Sequence, residues 1–244
     1  MQFGLIGKSL SHSFSKSYFE KKFIDLKLTG YEYKNYELVE IREIISVFST
    51  QNLKGLNVTN PYKEEIIPYL HSLSPEALEI GAVNCVKFSN RKIIGYNTDY
   101  YGFAQSIKPF LEPKHNKALI LGTGGASRAV AYALKKIGVD VYFVTSSATK
   151  LNTHTFFYNE LNMHIFNAFK LIVNTTPVGL FPNNNKAPKL PYEFITPQHL
   201  CYDLIYNPEE TLFLKQAKQQ GALTVNGFSM LQLQAEKSWE IWNE

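Results

Sequence analysis

The 244-residue chain has only two cysteines, three methionines and two tryptophans. Cys85 and Cys201 stand far apart in apolar segments, so they read as buried free thiols rather than as a disulfide or metal pair. Charged residues make up 19% of the chain, with a net charge of +4. No dense Lys/Arg stripe and no long acidic run is present, which argues against a nucleic-acid binder. No apolar run approaches the ~20 residues of a membrane span. The first residues, MQFGLIGKSL, lack the basic segment and apolar core of a secretory signal. These absences predict a protein of the reducing cytoplasm. With 45% hydrophobic residues the chain can bury a core of one large domain or two ordinary ones.

What is present is an alternation of short apolar runs and amphipathic stretches. Strands are predicted over 2–6, 31–37, 53–58, 82–88 and 92–96. Helices are predicted over 14–28, 39–49 and 61–70. On the 14–28 helix, Phe19, Phe23 and Leu26 are spaced to share a face. A second block begins with a helix over 100–110. Strands over 117–121, 139–145, 171–174 and 200–204 follow, with helices over 126–136 and 211–220. The proline-rich segment 182–191 is predicted to be a surface loop. The last stretch, 228–242, reads as an amphipathic helix with Leu231, Gln234, Ala235, Ser238 and Ile241 near one stripe. The pattern predicts an α/β protein with largely parallel sheets.

The strand at 117–121 runs directly into Gly122-Thr123-Gly124-Gly125-Ala126 and then a helix. Gly122 permits a tight turn, and Gly124 and Gly125 let backbone approach a pyrophosphate at the helix N-terminus. A purely structural turn is the bland reading, but the strand–turn–helix context favours dinucleotide binding. In NAD-type units an acid lies ~20 residues beyond the glycines and holds the ribose hydroxyls. Here Thr145-Ser146-Ser147 ends the next strand, with Lys150 close behind and no carboxylate. Hydroxyls and a lysine suit a 2′-phosphate better than a bare diol, which points to NADP. Simple helix capping competes as a reading of the same residues.

In NVTNPYKEE, Lys63 is expected in the first turn of a helix, where the macrodipole opposes a cation and favours a nearer-neutral acid/base lysine. A solvated surface lysine is the bland reading. In YNTDYYG, Asp99 precedes a helical run, for which an N-cap is a sufficient account. Nothing in the spacing shows that Lys63 and Asp99 meet.

SHSFS, NVTNPYK, GAVNC, NTD, GTGGASRA, NTTPVGL, YDLIYNPEET and GFSMLQLQA occur in the order shown by shikimate dehydrogenases. Across essentially its whole length the chain resembles that family. The resemblance implies two domains with the active site between them. One, 1–101 with 228–244, is a substrate domain on a mainly parallel sheet; the other, 102–227, is a Rossmann-like NADP domain. It implies reversible NADPH-dependent reduction of 3-dehydroshikimate to shikimate, with Lys63 and Asp99 in proton transfer. Ser13 and Ser15 match the serines holding the substrate carboxylate, though loop or cap serines would look the same. Asn57, Thr59, Asn84 and Gln234 match residues at the ring hydroxyls, and Tyr206 a tyrosine near the carboxylate. Thr176 and Gly227 match the nicotinamide side, where Pro177 and Gly179 would shape the loop. No metal is implied, and family members occur as monomers and homodimers.

Two departures stand out. An Asn-Arg-Thr run is frequent in the family where this chain has Thr145-Ser146-Ser147, and Ser229 replaces a usual glycine. The readings to weigh against the leading one are a quinate/shikimate dehydrogenase preferring NAD and a dinucleotide-binding relative without turnover.

Overall fold

The structure is a computed structural model describing residues 1–10, 13–89, 92–147 and 154–244. The chain packs as two compact units: Met1–Thr98 with Ala235–Glu244, and Asp99–Gln234.

The first unit contains β1 (Gln2–Gly7), α1 (Phe14–Asp25), β2 (Glu32–Glu37), α2 (Ile44–Phe48) and β3 (Leu53–Val58). It continues with β4 (Ser72–Leu73), α3 (Pro75–Ile80), β5 (Cys85–Ser89) and β6 (Lys92–Tyr96). Its strands lie in the order β2-β1-β3-β5-β6-β4. β1 pairs in parallel with β2 and β3, whereas β5 runs antiparallel to β3 and β6. Because successive side chains alternate across a strand, Phe3 and Leu5 face one apolar layer and Ile6 the other. Phe19 and Phe23 of α1 pack on the first layer with Ile241 and Trp242. The indole Nε1 of Trp242 donates to the Val86 carbonyl at 3.0 Å, fixing the end of the last helix on the sheet.

The second unit contains α4 (Asp99–Ile107), β7 (Lys117–Leu121), α5 (Gly125–Lys136), β8 (Asp140–Thr145), β9 (Thr155–Phe157) and α6 (Met163–Ala168). β10 (Leu171–Asn174), β11 (Leu200–Asp203), α7 (Leu212–Gln219) and β12 (Leu223–Val225) follow. α8 (Phe228–Asn243) begins in this unit and ends in the first. The strand order is β12-β11-β10-β7-β8-β9, all parallel. Parallel strands covered on both faces need apolar side chains on both, and this sheet has them. Ala118, Ile120, Leu171 and Val173 pack with Phe103, Val130 and Leu134. Leu119, Leu121, Ile172 and Cys201 pack with Phe166, Phe213 and Leu214.

Some predicted elements changed. The helix expected over 14–28 stops at Asp25, because Lys27 turns left-handed (φ 55°) and Leu28 N–H returns to the Phe23 carbonyl. Leu26 is therefore half exposed rather than on the shared apolar face. The stretch expected as a helix over 39–49 begins as a 3₁₀ turn at Ile41–Glu43 before α2. Residues 61–66, expected as a helix, form turns leading into a 3₁₀ segment at Ile67–Tyr69. The reason lies in the carbonyls. Lys63 O accepts from Val83 N at 2.7 Å, so it is committed across the unit, and Ile67 N bonds Glu64 O instead. The macrodipole argument for Lys63 falls with that helix. Short elements β4, α3, β9, α6 and β12 were not anticipated. No helix of the described residues is long and apolar enough to cross a membrane.

Candidate active site

In the first unit, the residues matching the substrate motifs form an interlocked polar cluster. Asn57, at the end of β3, is 4% exposed. Its Oδ1 accepts the Tyr33 hydroxyl at 2.8 Å, and its Nδ2 donates to Ser238 Oγ at 2.9 Å and to the Asn84 carbonyl at 3.3 Å. Asn84 Oδ1 accepts Thr98 N–H at 2.6 Å, and its Nδ2 donates to Thr98 Oγ1 at 3.0 Å. Thr98 Oγ1 and Ser238 Oγ lie 3.2 Å apart, which closes the cluster. Burial lifts the Tyr33 phenol well above its ordinary range, and a hydrogen bond with Ser15 partly offsets that. The structure thus links Ser15, Asn57 and Asn84 through Tyr33, Thr98 and Ser238. The last three carry no role in the motif reading. Thr98 was visible inside NTD and Ser238 on the stripe of α8, but Tyr33 had no sequence signal of its own.

Ser13 stands at the N-cap position of α1 without making a cap bond. Its hydroxyl is buried and has no hydrogen-bond partner among the described residues. A buried donor left so is costly unless something polar meets it. Thr59 is half-buried, with its N–H on the Ile6 carbonyl at 2.8 Å. Lys63 is half-buried and pinned through its carbonyl to Val83, next to Asn84.

The second unit carries the glycine turn. Gly122 sits at φ +102°, and a Cβ there would meet Thr176 Cγ2 at 3.0 Å and Thr175 Oγ1 at 3.1 Å. The positive φ strains any other residue, and a Cβ would also press on both threonines. Gly124 is the N-cap of α5 and offers no side chain to the helix N–H groups. A Cβ built on it meets nothing within 4 Å, so the helix start opens onto free space. That is the arrangement a pyrophosphate needs: unclaimed N–H groups, a positive helix end and room for close approach. Thr123, Gly125 and Ala126 are half-buried around it. The residues present fit a dinucleotide.

Other predicted cofactor residues lie at the same sheet edge or near it. Thr145 ends β8, is buried and accepts Ser147 N–H at 3.0 Å, a cap-type bond; Ser146 is exposed. Lys150 lies outside the described residues. Thr176 follows β10 and wraps its hydroxyl onto Asn174 Oδ1 at 2.6 Å. Gly227 donates its N–H to the Ile205 carbonyl at 3.1 Å, and a Cβ on it would fall 2.0 Å from the Leu204 carbonyl oxygen. Gln234 is buried with Nε2 on the Leu231 carbonyl at 3.0 Å. Tyr206 is half-buried, and burial raises its phenol. Asp99 begins α4 and is buried. Among the described residues no group of three or more His, Cys, Asp or Glu is placed to share a metal.

Residues 5–86 match the family model described as the shikimate dehydrogenase substrate binding domain. A protein of Aquifex aeolicus named shikimate dehydrogenase (NADP(+)) is 40% identical over 250 residues, covering 99% of this chain and 90% of its own. The chain belongs to the shikimate dehydrogenase family. The crystal structure of shikimate dehydrogenase from Aquifex aeolicus superposes with a TM-score of 0.88 at 38% identity, covering 100% of this chain and 92% of that one. Shikimate 5-dehydrogenase from Thermus thermophilus, solved with NADP(H) and shikimate, is 30% identical with a TM-score of 0.86 over 99% and 93% of the two chains. As a family member the chain keeps the α/β architecture of two sheets, and Tyr33, Asn57 and Asn84 of the buried cluster fall within the matched substrate-binding region, whereas Thr98 and Ser238 lie beyond it.

Proposed function

We infer that this chain is an NADP-dependent shikimate dehydrogenase that reversibly reduces 3-dehydroshikimate to shikimate. The observation that carries this is 40% identity, across 99% of the chain, with a relative named for that activity and cofactor. The substrate domain is 1–101 with 228–244 and the dinucleotide domain 102–227, so the first unit carries most of the former and the second all of the latter. Bound NADPH supplies the hydride. The protein's own residues must then bind the ring, orient it and deliver one proton to the carbonyl oxygen as it becomes a hydroxyl.

Lys63 is the general acid in that direction and the general base in reverse, and Asp99 is its partner. The half-buried setting of Lys63 and the tie of its backbone carbonyl to Val83, the residue before Asn84, support this. Ser13 and Ser15 hold the substrate carboxylate; the buried Ser13 hydroxyl, without a partner among the described residues, supports that role. Asn57, Thr59, Asn84 and Gln234 read the ring hydroxyls, and Tyr206 lies towards the carboxylate end. Such directed polar contacts reject analogues that lack a hydroxyl. Gly122 to Ala126 hold the pyrophosphate; Thr145, Ser146, Ser147 and Lys150, the last outside the described residues, are assigned to the 2′-phosphate; Thr176 and Gly227 serve the nicotinamide side. The enzyme works in the cytoplasm, where Cys85 and Cys201 remain thiols, as a monomer or homodimer.

The test is a steady-state assay of shikimate and quinate oxidation with NADP and with NAD. The expected result is a kcat/KM highest for shikimate with NADP. Equal or better turnover with NAD, or preference for quinate, overturns the assignment.

A further inference from the structure

We propose that Asp203 is a positioning residue for the dinucleotide site: its buried carboxylate holds the loop that walls the glycine turn. Asp203 ends β11 with no exposed surface. Oδ1 accepts Asn174 Nδ2 and Ile205 N–H, both at 3.0 Å, and Oδ2 accepts the Thr211 hydroxyl at 2.7 Å. These are three uncharged donors. A carboxylate takes them all, because it is acceptor-only and has about four lone-pair sites.

The donors come from two places at the same edge of the sheet: Asn174 ends β10, and Ile205 and Thr211 lie near the two ends of the β11–α7 connection. Asn174 ends the neighbouring strand β10, in register with Asp203. With its Nδ2 on the carboxylate, its Oδ1 is aimed the other way and accepts Thr176 N–H at 3.1 Å and Thr176 Oγ1 at 2.6 Å. Thr176 is the residue whose methyl lies 3.0 Å from where a Gly122 Cβ would stand. The preceding Thr175 bonds Leu121 O through both N–H and hydroxyl, and its hydroxyl meets Ser127 Oγ of α5 at 2.7 Å. On the other side, Ile205 accepts Gly227 N–H. Thr211 caps α7 by accepting Leu214 N–H. One buried carboxylate is therefore the common node of the loops carrying Gly122, Thr176 and Gly227. Asp203 itself has no surface to offer a ligand, so its effect passes through Asn174.

The proposal rests on the second unit being the NADP domain, and the experiment separates the two. NADPH binding is measured by calorimetry, and shikimate KM at saturating NADP, for wild type, Asp203→Ala, Asp203→Asn and Asn174→Ala. Losing the node leaves Asn174 or its partners unsatisfied, which corresponds to about a tenfold weaker NADPH Kd in Asp203→Ala. Shikimate KM should shift less than the NADPH Kd, because Ser13, Ser15, Asn57, Thr59 and Asn84 lie in the other unit. Asp203→Asn keeps an oxygen for the two Oδ1 donors and should recover most of the affinity. If Asp203→Ala does not fold, Asn174→Ala decides, since it cuts the same link while leaving Ile205 and Thr211 on the carboxylate. The proposal is overturned by wild-type NADPH affinity in the alanine variant that folds, or by an Asp203→Asn Kd as weak as that of Asp203→Ala. Failure of the wild type to bind NADPH would instead remove the assignment beneath it.

Discussion

The two units build their sites from different materials. In the first, side chains do the work: Tyr33, Asn57, Asn84, Thr98 and Ser238 bond one another in a buried ring of amides and hydroxyls. In the second, the ligand side is backbone, a positive-φ glycine and an uncapped helix start, with side chains such as Asn174 and Asp203 placed behind it. Under the proposed function the difference follows from the ligands. A small polyhydroxylated ring must be read by donors and acceptors at fixed angles. A pyrophosphate asks mainly for N–H groups and positive potential, which any backbone supplies once a Cβ is absent.

The sharpest way to test this division is Lys63→Ala. Removing a general acid/base group should lower turnover by about a thousandfold. NADPH binding and thermal stability should stay near wild type, since Lys63 is only half-buried and its carbonyl bond to Val83 is kept. Single-turnover kinetics with calorimetric NADPH binding checks this, and undiminished turnover in a folded variant removes Lys63 from the chemistry.

A smaller effect is expected from Ser238→Ala. It takes the acceptor from Asn57 Nδ2 and a partner from Thr98 Oγ1, both buried. Stability should fall by about 1–2 kcal/mol and shikimate KM rise by about fivefold, with NADPH Kd unchanged. A change in NADPH affinity alone would contradict the division between the units.

A pH dependence, but no change in either ligand's contacts, is expected in the second unit. Burial raises the Asp203 carboxyl from 3.8 to about 6, and the donors Thr211, Ile205 and Asn174 pull the other way. The fold thus favours the protonated form. That stability is fully present below the unfolded value and is lost as pH rises through about 6. The facing titratable groups Tyr192, Cys201 and Tyr202 are all raised by burial, so none changes charge in this window. Asp203→Asn stays neutral throughout. Its stability relative to wild type should therefore improve from about pH 4 to about pH 7, by at most about 3 kcal/mol. Denaturant melts across that range measure it, and a flat difference would place the carboxyl in its ordinary range.

Legibility differed between the units in the same way. The central strands of the second unit are continuous apolar runs, and the predicted bounds of 117–121 and 171–174 match β7 and β10. The glycine turn between β7 and α5 was equally readable, because a missing Cβ is a property of the sequence. In the first unit, residue types gave candidates without partners. Asn57 and Asn84 could be named from motif order, yet the ring joining them passes through Ser238, far along the chain. The region around Lys63 was misread, because Pro61 and the spacing of Tyr62 and Ile66 imitate a helix while the Lys63 carbonyl is claimed by Val83. The helix ending at Asp25 overshot in prediction because nothing marks Lys27 as left-handed.

The sequence by itself determined the α/β class, the order of the strands in the chain, the dinucleotide turn and membership of the family, because each rests on local pattern or ordered motifs. Only the tertiary structure decided which polar side chains satisfy one another. It set Asn57 against Ser238, left the Ser13 hydroxyl without a partner among the described residues, and made Asp203 the shared acceptor of Asn174, Ile205 and Thr211. The physical reason is that a buried hydrogen bond depends on two groups meeting at about 3 Å, and distance along the chain carries no information about that meeting.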